Sequence, residues 1–104
     1  MSESPEAHRV LVVDDEPNIV DVVTMALKFQ GFSVGSAGTG AQALSAVASF
    51  HPHLIVLDVM LPDMEGFEVA KRLGAQRGRV PIIFLTARRR RSRSPTRGRA
   101  AARG

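Results

Sequence analysis

The sequence has no cysteine, tryptophan or tyrosine among its 104 residues. A chain without cysteine forms no disulfide bond, carries out no thiol redox chemistry and offers no thiolate ligand to zinc. No apolar run is long enough to span a membrane, and the polar residues 1–9 do not resemble a signal peptide. These absences argue against disulfide scaffolds and membrane-spanning proteins, and they predict a cytoplasmic protein with one small domain.

Acidic side chains are missing from the end of the chain, a fact that the net charge of +4 conceals. Residues 1–87 carry six basic and ten acidic side chains, a net charge of −4, whereas residues 88–104 carry eight arginines and no acid, a net charge of +8. We expect a disordered basic tail over residues 88–104 and a disordered leader over residues 1–8. The alternative for the tail is a module that binds nucleic acid or another polyanion weakly and without sequence preference, through counterion release.

Short apolar runs alternate with stretches of helical periodicity between residues 9 and 85. The predicted strands are Arg9–Val13, Phe32–Ala37, Leu54–Leu57 and Ile82–Leu85. The predicted helices begin at Pro17, after a Thr39 N-cap and near Phe67, and they end at Gly31, Pro52 and Gly74. This alternation predicts an α/β fold in which a parallel sheet carries helices on its faces and right-handed crossovers join the strands.

Two of the predicted strands end in carboxylates. Asp14 and Asp15 follow the first strand, and Asp58 follows the apolar run Leu54–Leu57. Because the carboxyl ends of parallel strands meet at one rim, we expect these three side chains to lie close together. Three carboxylates repel one another, so the arrangement favours a bound hard cation such as Mg²⁺. A carboxylate beside such a cation can attack a phosphoryl group, whereas the ordinary interpretation is that Asp58 caps a turn.

Three motifs follow one another along the chain: LVVDDEP at Leu11–Pro17, LDVMLPDMEGF at Leu57–Phe67 and PIIFLTA at Pro81–Ala87. Together they resemble the receiver domain of bacterial response regulators of two-component signal transduction. The first motif is similar to the family's first strand and acidic pair, the second to its phosphoacceptor strand and following loop, and the third to its fourth strand. The resemblance covers about Arg9 to Arg88 and is closest to receivers that carry a winged-helix DNA-binding domain.

The resemblance implies a role for five residues and a partner. Asp58 would accept a phosphoryl group from the phosphohistidine of a sensor histidine kinase. Asp15 and Asp58 would bind Mg²⁺ through their carboxylates, Met60 through its main-chain carbonyl and Asp14 through water. Thr86 would donate a hydrogen bond to the phosphoryl group, although a β-branched residue is equally ordinary in a strand. Any enzymatic activity would be limited to Mg²⁺-dependent self-phosphorylation at Asp58.

The resemblance also implies a flavodoxin-like doubly wound parallel sheet, with strand order 2-1-3-4-5. Only four of the five strands are recognisable, since no strand ending in Lys-Pro follows Thr86 and the large apolar residues stop there. We therefore expect a partial receiver over residues 9–87, with impaired activity, no DNA-binding domain in this chain and an exposed sheet edge prone to self-association. The abrupt change of composition at Arg88 is also typical of a GC-rich gene read out of frame.

Overall fold

The computed structural model of the protein describes residues 8–77 and 80–85, which form one sheet and three helices. The strands are β1 (Arg9–Val13), β2 (Ser33–Ala37), β3 (Leu54–Asp58) and β4 (Ile82–Leu85). The helices are α1 (Pro17–Phe29), α2 (Gly40–Phe50) and α3 (Gly66–Arg77). The predicted alternation of strands and helices is confirmed. The predicted basic tail and all of the predicted leader except His8 lie outside the described residues.

All neighbouring strands of the sheet run parallel, in the order β2-β1-β3-β4. A doubly wound sheet of the predicted type has this order for its first four strands. The register places Val13 beside both Ala37 and Leu57, and it places Asp58 beside Leu85. The carboxyl ends of the four strands therefore lie along one rim, as the sequence predicted.

Each face of the sheet carries its own apolar cluster, because alternate residues of a strand point to opposite faces. One face packs against α2 and α3, and its buried cluster consists of Leu11, Val13, Ala37, Ala43, Val47, Ile55, Leu57, Val69 and Leu73. The other face buries Val10, Val12 and Val56 beneath α1. The central strands β1 and β3 are thus buried on both faces, which is why each is a continuous apolar run.

The helix ends follow local chemistry, with one departure from prediction. Thr39 caps α2, since its Oγ1 accepts the Gln42 N–H at 3.0 Å. Gly31, at φ +96°, follows the end of α1 in a conformation that few other residues adopt. The prediction that Gly74 ends α3 is wrong, because the helix continues to Arg77. A glycine inside a helix costs only about 1 kcal/mol. Among residues 8–77 and 80–85, each helix is too short or too polar to cross a membrane.

Candidate metal centre

Three carboxylates meet at the carboxyl rim of the sheet, and we call them the acidic centre: Asp14, Asp15 and Asp58. One carboxylate oxygen from each lies within 4.8 Å of the others. Asp14 is 4% exposed and Asp58 is 1% exposed, whereas Asp15 is exposed at the mouth of the centre. The structure therefore brings together the three acidic residues that the sequence singled out.

The strand register explains why these side chains meet. β1 and β3 are neighbours, and Val13 pairs with Leu57, so the next residues, Asp14 and Asp58, lie side by side at the rim of the sheet. The Asp14 N–H still donates to the Ala37 carbonyl at 3.1 Å, which extends the pairing of β1 with β2 by one residue and fixes the main chain at the centre.

Main-chain N–H groups orient both buried carboxylates. The Glu16 N–H donates to Oδ1 of Asp14 at 2.9 Å, and the Met60 N–H donates to Oδ1 of Asp58 at 3.2 Å. Each bond joins an aspartate to the residue two positions on, which is the hydrogen bond of an Asx turn. The turn-capping role considered for Asp58 is therefore present, and it holds the carboxylate inside the acidic centre.

The donor set matches a hard divalent cation. Its ligand atoms are carboxylate oxygens, which Mg²⁺ and Ca²⁺ prefer, and no sulfur or imidazole belongs to the group. Two of the three carboxylates are buried, and burying negative charges close together is costly unless a cation compensates them. The chemistry of these residues therefore fits a bound Mg²⁺.

The loop between β3 and α3 folds back on itself beside Asp58. The Gly66 N–H donates to the Val59 carbonyl at 2.7 Å and the Leu61 N–H donates to the Met64 carbonyl at 3.3 Å, which pairs Met60 with Glu65 in an isolated antiparallel bridge. Neither of these two bonds uses the Met60 carbonyl, the group proposed by resemblance as a metal ligand.

Gly66 holds this loop against the end of β3. A Cβ atom at Gly66 would overlap the main-chain oxygen of Asp58 and would lie 3.1 Å from the Val59 Cα. Only a residue without a side chain lets α3 begin this close to the strand. The sequence pattern predicted that a helix begins near Phe67, but it did not show the contact between Gly66 and Asp58.

Asp63, in the same loop, caps α2 although it lies far from that helix in the sequence. Oδ1 of Asp63 accepts the Gly40 N–H at 2.7 Å, and Oδ2 accepts the Ala41 N–H at 2.9 Å. The hydrogen bond from Gly40, followed by that from Ala41, lowers the pKa of Asp63 below its ordinary value of 3.8. Sequence reasoning found the Thr39 cap but missed this one, because no local pattern joins Asp63 to Gly40.

The Asp63 cap predicts a pH-dependent loss of stability. A carboxyl whose pKa is lowered by folding stabilises the fold above its ordinary pKa, and this contribution disappears as the pH falls through the lowered value. We expect Asp63→Asn to melt at a lower temperature than the wild type at pH 7, and the gap to narrow as the pH falls below about 3.8 and to close once it is below the lowered pKa of Asp63. Melting curves across this range measure the gap. Glu65→Gln, in the same loop, is the matched control, and a gap that stays constant with pH would contradict the role of the Asp63 charge.

A cavity of about 250 Å³ opens beside the acidic centre, on the side of β2. It is lined by Asp14, Asp15, Pro17, Val20, Asp21, Ser36, Ala37 and Gly38. Asp58 is absent from this lining, so the cavity gives access to the acidic centre from the side of Asp14 and Asp15. The remaining predicted site residue, Thr86, follows β4 in the chain and lies outside the described residues.

The chain matches the family model described as "Response regulator receiver domain" over residues 10–102. The chain belongs to the response regulator receiver domain family. The match reaches past Arg88, so the family likeness extends further along the chain than the three motifs predicted. The predicted truncation and the nucleic-acid-binding alternative for the tail draw no support from this match.

Curated relatives and solved structures agree with this assignment. The receiver is 44% identical over 79 residues to the probable transcriptional regulatory protein TcrX of Mycobacterium tuberculosis, covering 76% of this chain and 34% of the relative. It is 46% identical over 80 residues to the DNA-binding response regulator MtrA of Mycolicibacterium smegmatis, covering 77% of this chain and 35% of the relative. The chain thus spans about a third of the length of these relatives.

Two solved receivers share the fold closely. The response regulator TrrA of Thermotoga maritima, solved in complex with Mg²⁺ and BeF, has a TM-score of 0.74 and 37% identity, with 78% of this chain and 70% of that chain covered. The N-terminal domain of a response regulator receiver protein from Methanoculleus marisnigri has a TM-score of 0.74 and 35% identity, with 78% of this chain and 68% of that chain covered.

Proposed function

We propose that this receiver accepts a phosphoryl group on Asp58 from a sensor histidine kinase, with Mg²⁺ bound at the acidic centre. The observation that carries the proposal is the position of Asp58, which is 1% exposed and shares a carboxylate cluster with Asp14 and Asp15. Family membership supports the reaction class. TrrA was solved in complex with Mg²⁺ and BeF, which supports the choice of metal.

Asp58 supplies the nucleophile in this reaction. A carboxylate oxygen of Asp58 bonds to phosphorus as the bond from phosphorus to the donor's imidazole nitrogen breaks, and the electron pair of that bond leaves with the imidazole. The Met60 N–H bonded to Oδ1 fixes the orientation of the carboxylate before the attack. Burial of Asp58 also restricts the approach of water to the acyl phosphate, which prolongs the phosphorylated state.

Four residues of the proposed site would hold the metal. Asp15 and Asp58 would bind it through carboxylates, Met60 through its main-chain carbonyl, and Asp14 through a water molecule. Bound Mg²⁺ neutralises the charge that gathers when a phosphoryl group meets a carboxylate. Thr86 completes the proposed site as a hydrogen-bond donor to the phosphoryl oxygens.

The comparisons support a wider proposal about the output. TcrX is named as a probable transcriptional regulatory protein and MtrA as a DNA-binding response regulator, and the chain covers about a third of each. We therefore assign the chain to transcription regulation in a cytoplasmic two-component pathway. Residues 9–87 are the proposed receiver unit, preceded by a leader over residues 1–8 and followed by a basic tail over residues 88–104.

Phosphorylation of the whole 104-residue chain by a small phosphodonor tests the proposed function. We expect acetyl phosphate with Mg²⁺ to add the mass of one phosphoryl group in an intact mass spectrum, and EDTA to prevent the addition. Mg²⁺ alone should raise the melting temperature, because a ligand that binds the folded state stabilises it. A folded chain that gains no mass under these conditions, or gains the same mass in EDTA, would contradict the proposal.

A further inference from the structure

The loop between β3 and α3 connects the acidic centre to the start of α2. At the acidic centre, the Met60 N–H of this loop donates to Oδ1 of Asp58 at 3.2 Å. At the start of α2, Asp63 of the same loop accepts the Gly40 N–H at 2.7 Å and the Ala41 N–H at 2.9 Å. Two residues of the chain separate Met60 from Asp63. The bonds to α2 therefore lie a short distance along the chain from the proposed metal site.

The part of the loop between these two attachments has little freedom to absorb a displacement. Met60 is paired with Glu65 in the antiparallel bridge that closes the loop. Pro62 directly precedes Asp63, and its ring restricts φ to about −65°. A movement of Asp63 is therefore passed on to the main chain of Met60, because the segment between them cannot readily change its shape.

Apolar packing holds the same loop against the same helix. Gly40 is buried at the first position of α2. A Cβ atom at Gly40 would lie 2.5 Å from Cγ and 2.7 Å from Sδ of Met64, and 3.0 Å from Cγ2 of Val69. Met64, the residue after Asp63, thus lies directly against the main chain of Gly40. This packing sets the distance between loop and helix, and the two hydrogen bonds of Asp63 set the orientation.

The start of α2 depends on Asp63 for its negative charge. Gly40–Phe50 contains no charged side chain, and its first turn has no acidic residue. A negative charge is favourable at a helix N-terminus, where N–H groups lack partners within the helix. The third N–H group, that of Gln42, is accepted by Thr39, and the first two are accepted by Asp63. Asparagine could accept only one of these two, since it has a single acceptor oxygen.

We propose that Asp63 is a positioning residue for the metal: through its bonds to α2, it holds the main chain of Met60 in place for Mg²⁺. The inference rests on the proposed function, in which the Met60 carbonyl is a ligand. Asp63 does not belong to the acidic centre, and both of its oxygens accept hydrogen bonds from α2. Its effect on the metal is therefore indirect.

An NMR titration of the whole chain with Mg²⁺ tests the proposal, at pH 7 and at a temperature at which every variant is folded. Loss of a residue that orients a metal ligand directly weakens binding about 10- to 100-fold. Asp63 acts through the intervening loop, so Asp63→Asn should raise the Mg²⁺ dissociation constant by about three- to tenfold. An unchanged dissociation constant would overturn the proposal.

Thr39→Ala is the matched control for a purely structural effect. It removes the other cap of α2, the oxygen that accepts the Gln42 N–H, but it leaves the loop attached through Asp63. Thr39→Ala should lower the melting temperature and leave the Mg²⁺ dissociation constant unchanged. An equal rise of that constant in both variants would overturn the positioning role, because it would trace the effect to the stability of α2. A wild type that binds no Mg²⁺ would overturn the proposed function, and this inference with it.

Amide hydrogen exchange in the wild type stays decisive if Asp63→Asn does not fold. Coupling between two sites is reciprocal, so a metal that is favoured by the bonds of Asp63 must in turn strengthen those bonds. Mg²⁺ should therefore slow exchange of the Gly40 and Ala41 N–H groups by a larger factor than exchange of the Gln42 N–H group, whose acceptor is Thr39. Slowing of all three by the same factor, or of none, would contradict the proposal.

Discussion

Asp58→Asn is expected to abolish phosphorylation by acetyl phosphate. The amide is close in shape to the carboxylate, and its oxygen can still accept the Met60 N–H that bonds Oδ1 of Asp58. It has no negative oxygen with which to attack phosphorus, so the reaction loses its nucleophile. The substitution also removes one of three clustered negative charges, so the variant should melt at the same temperature as the wild type or higher when Mg²⁺ is absent.

Asp21→Asn is the matched control for this substitution. Asp21 lines the cavity beside the acidic centre but does not belong to the cluster of three carboxylates. We expect Asp21→Asn to be phosphorylated at the wild-type rate within about a factor of two or three, since surface charges act weakly at a distance in water. If the Asp58→Asn chain is folded and is labelled as fully as the wild type, Asp58 is not the phosphoacceptor.

Gly66→Ala is expected to lower the free energy of unfolding strongly, whereas Gly74→Ala should raise it. A methyl group at Gly66 would overlap the main chain at Asp58, and the neighbouring atoms are backbone atoms that have no rotamer with which to move aside. Overpacking of this kind costs roughly 1–3 kcal/mol or more. At Gly74 an added methyl group has no neighbour within 4 Å, so the gain in helix propensity should stabilise α3 by about 0.5–1 kcal/mol.

Urea denaturation of both glycine variants measures these two effects. The pair is informative because both residues lie in α3 and both changes add the same methyl group. Gly66→Ala should also slow phosphorylation, since moving the loop displaces the Met60 N–H from Asp58. If Gly66→Ala were as stable as the wild type, the close approach of α3 to β3 would not be a constraint on the site.

The strands and the acidic centre could be predicted because they follow from short apolar runs and from one general rule of parallel strand pairing. Continuous apolar runs identify strands buried on both faces, as in Val10–Val13 and Leu54–Leu57. Parallel pairing then places the residues after such strands on one rim, which is sufficient to bring Asp14 and Asp58 together. No detailed contact had to be known for this prediction.

The features that sequence reasoning missed depend on contacts between distant parts of the chain. Asp63 caps α2 although it lies 22 and 23 residues from the two N–H groups that it accepts. A residue without a side chain is needed at Gly66 because the main chain of Asp58 lies against it. Gly74 carries an ordinary helix-ending signal, but α3 continues past it.

Chemical mapping of the phosphorylated residue tests the central claim most directly. Borohydride reduces an acyl phosphate on aspartate to the alcohol of homoserine, and it leaves phosphoserine and phosphothreonine unchanged. After treatment with acetyl phosphate and Mg²⁺, reduction and peptide mass spectrometry, we predict homoserine at position 58 and aspartate at positions 14 and 15. Homoserine at position 14 or 15, or phosphate found only on a hydroxyl residue, would contradict the assignment of Asp58 as the phosphoacceptor of this receiver.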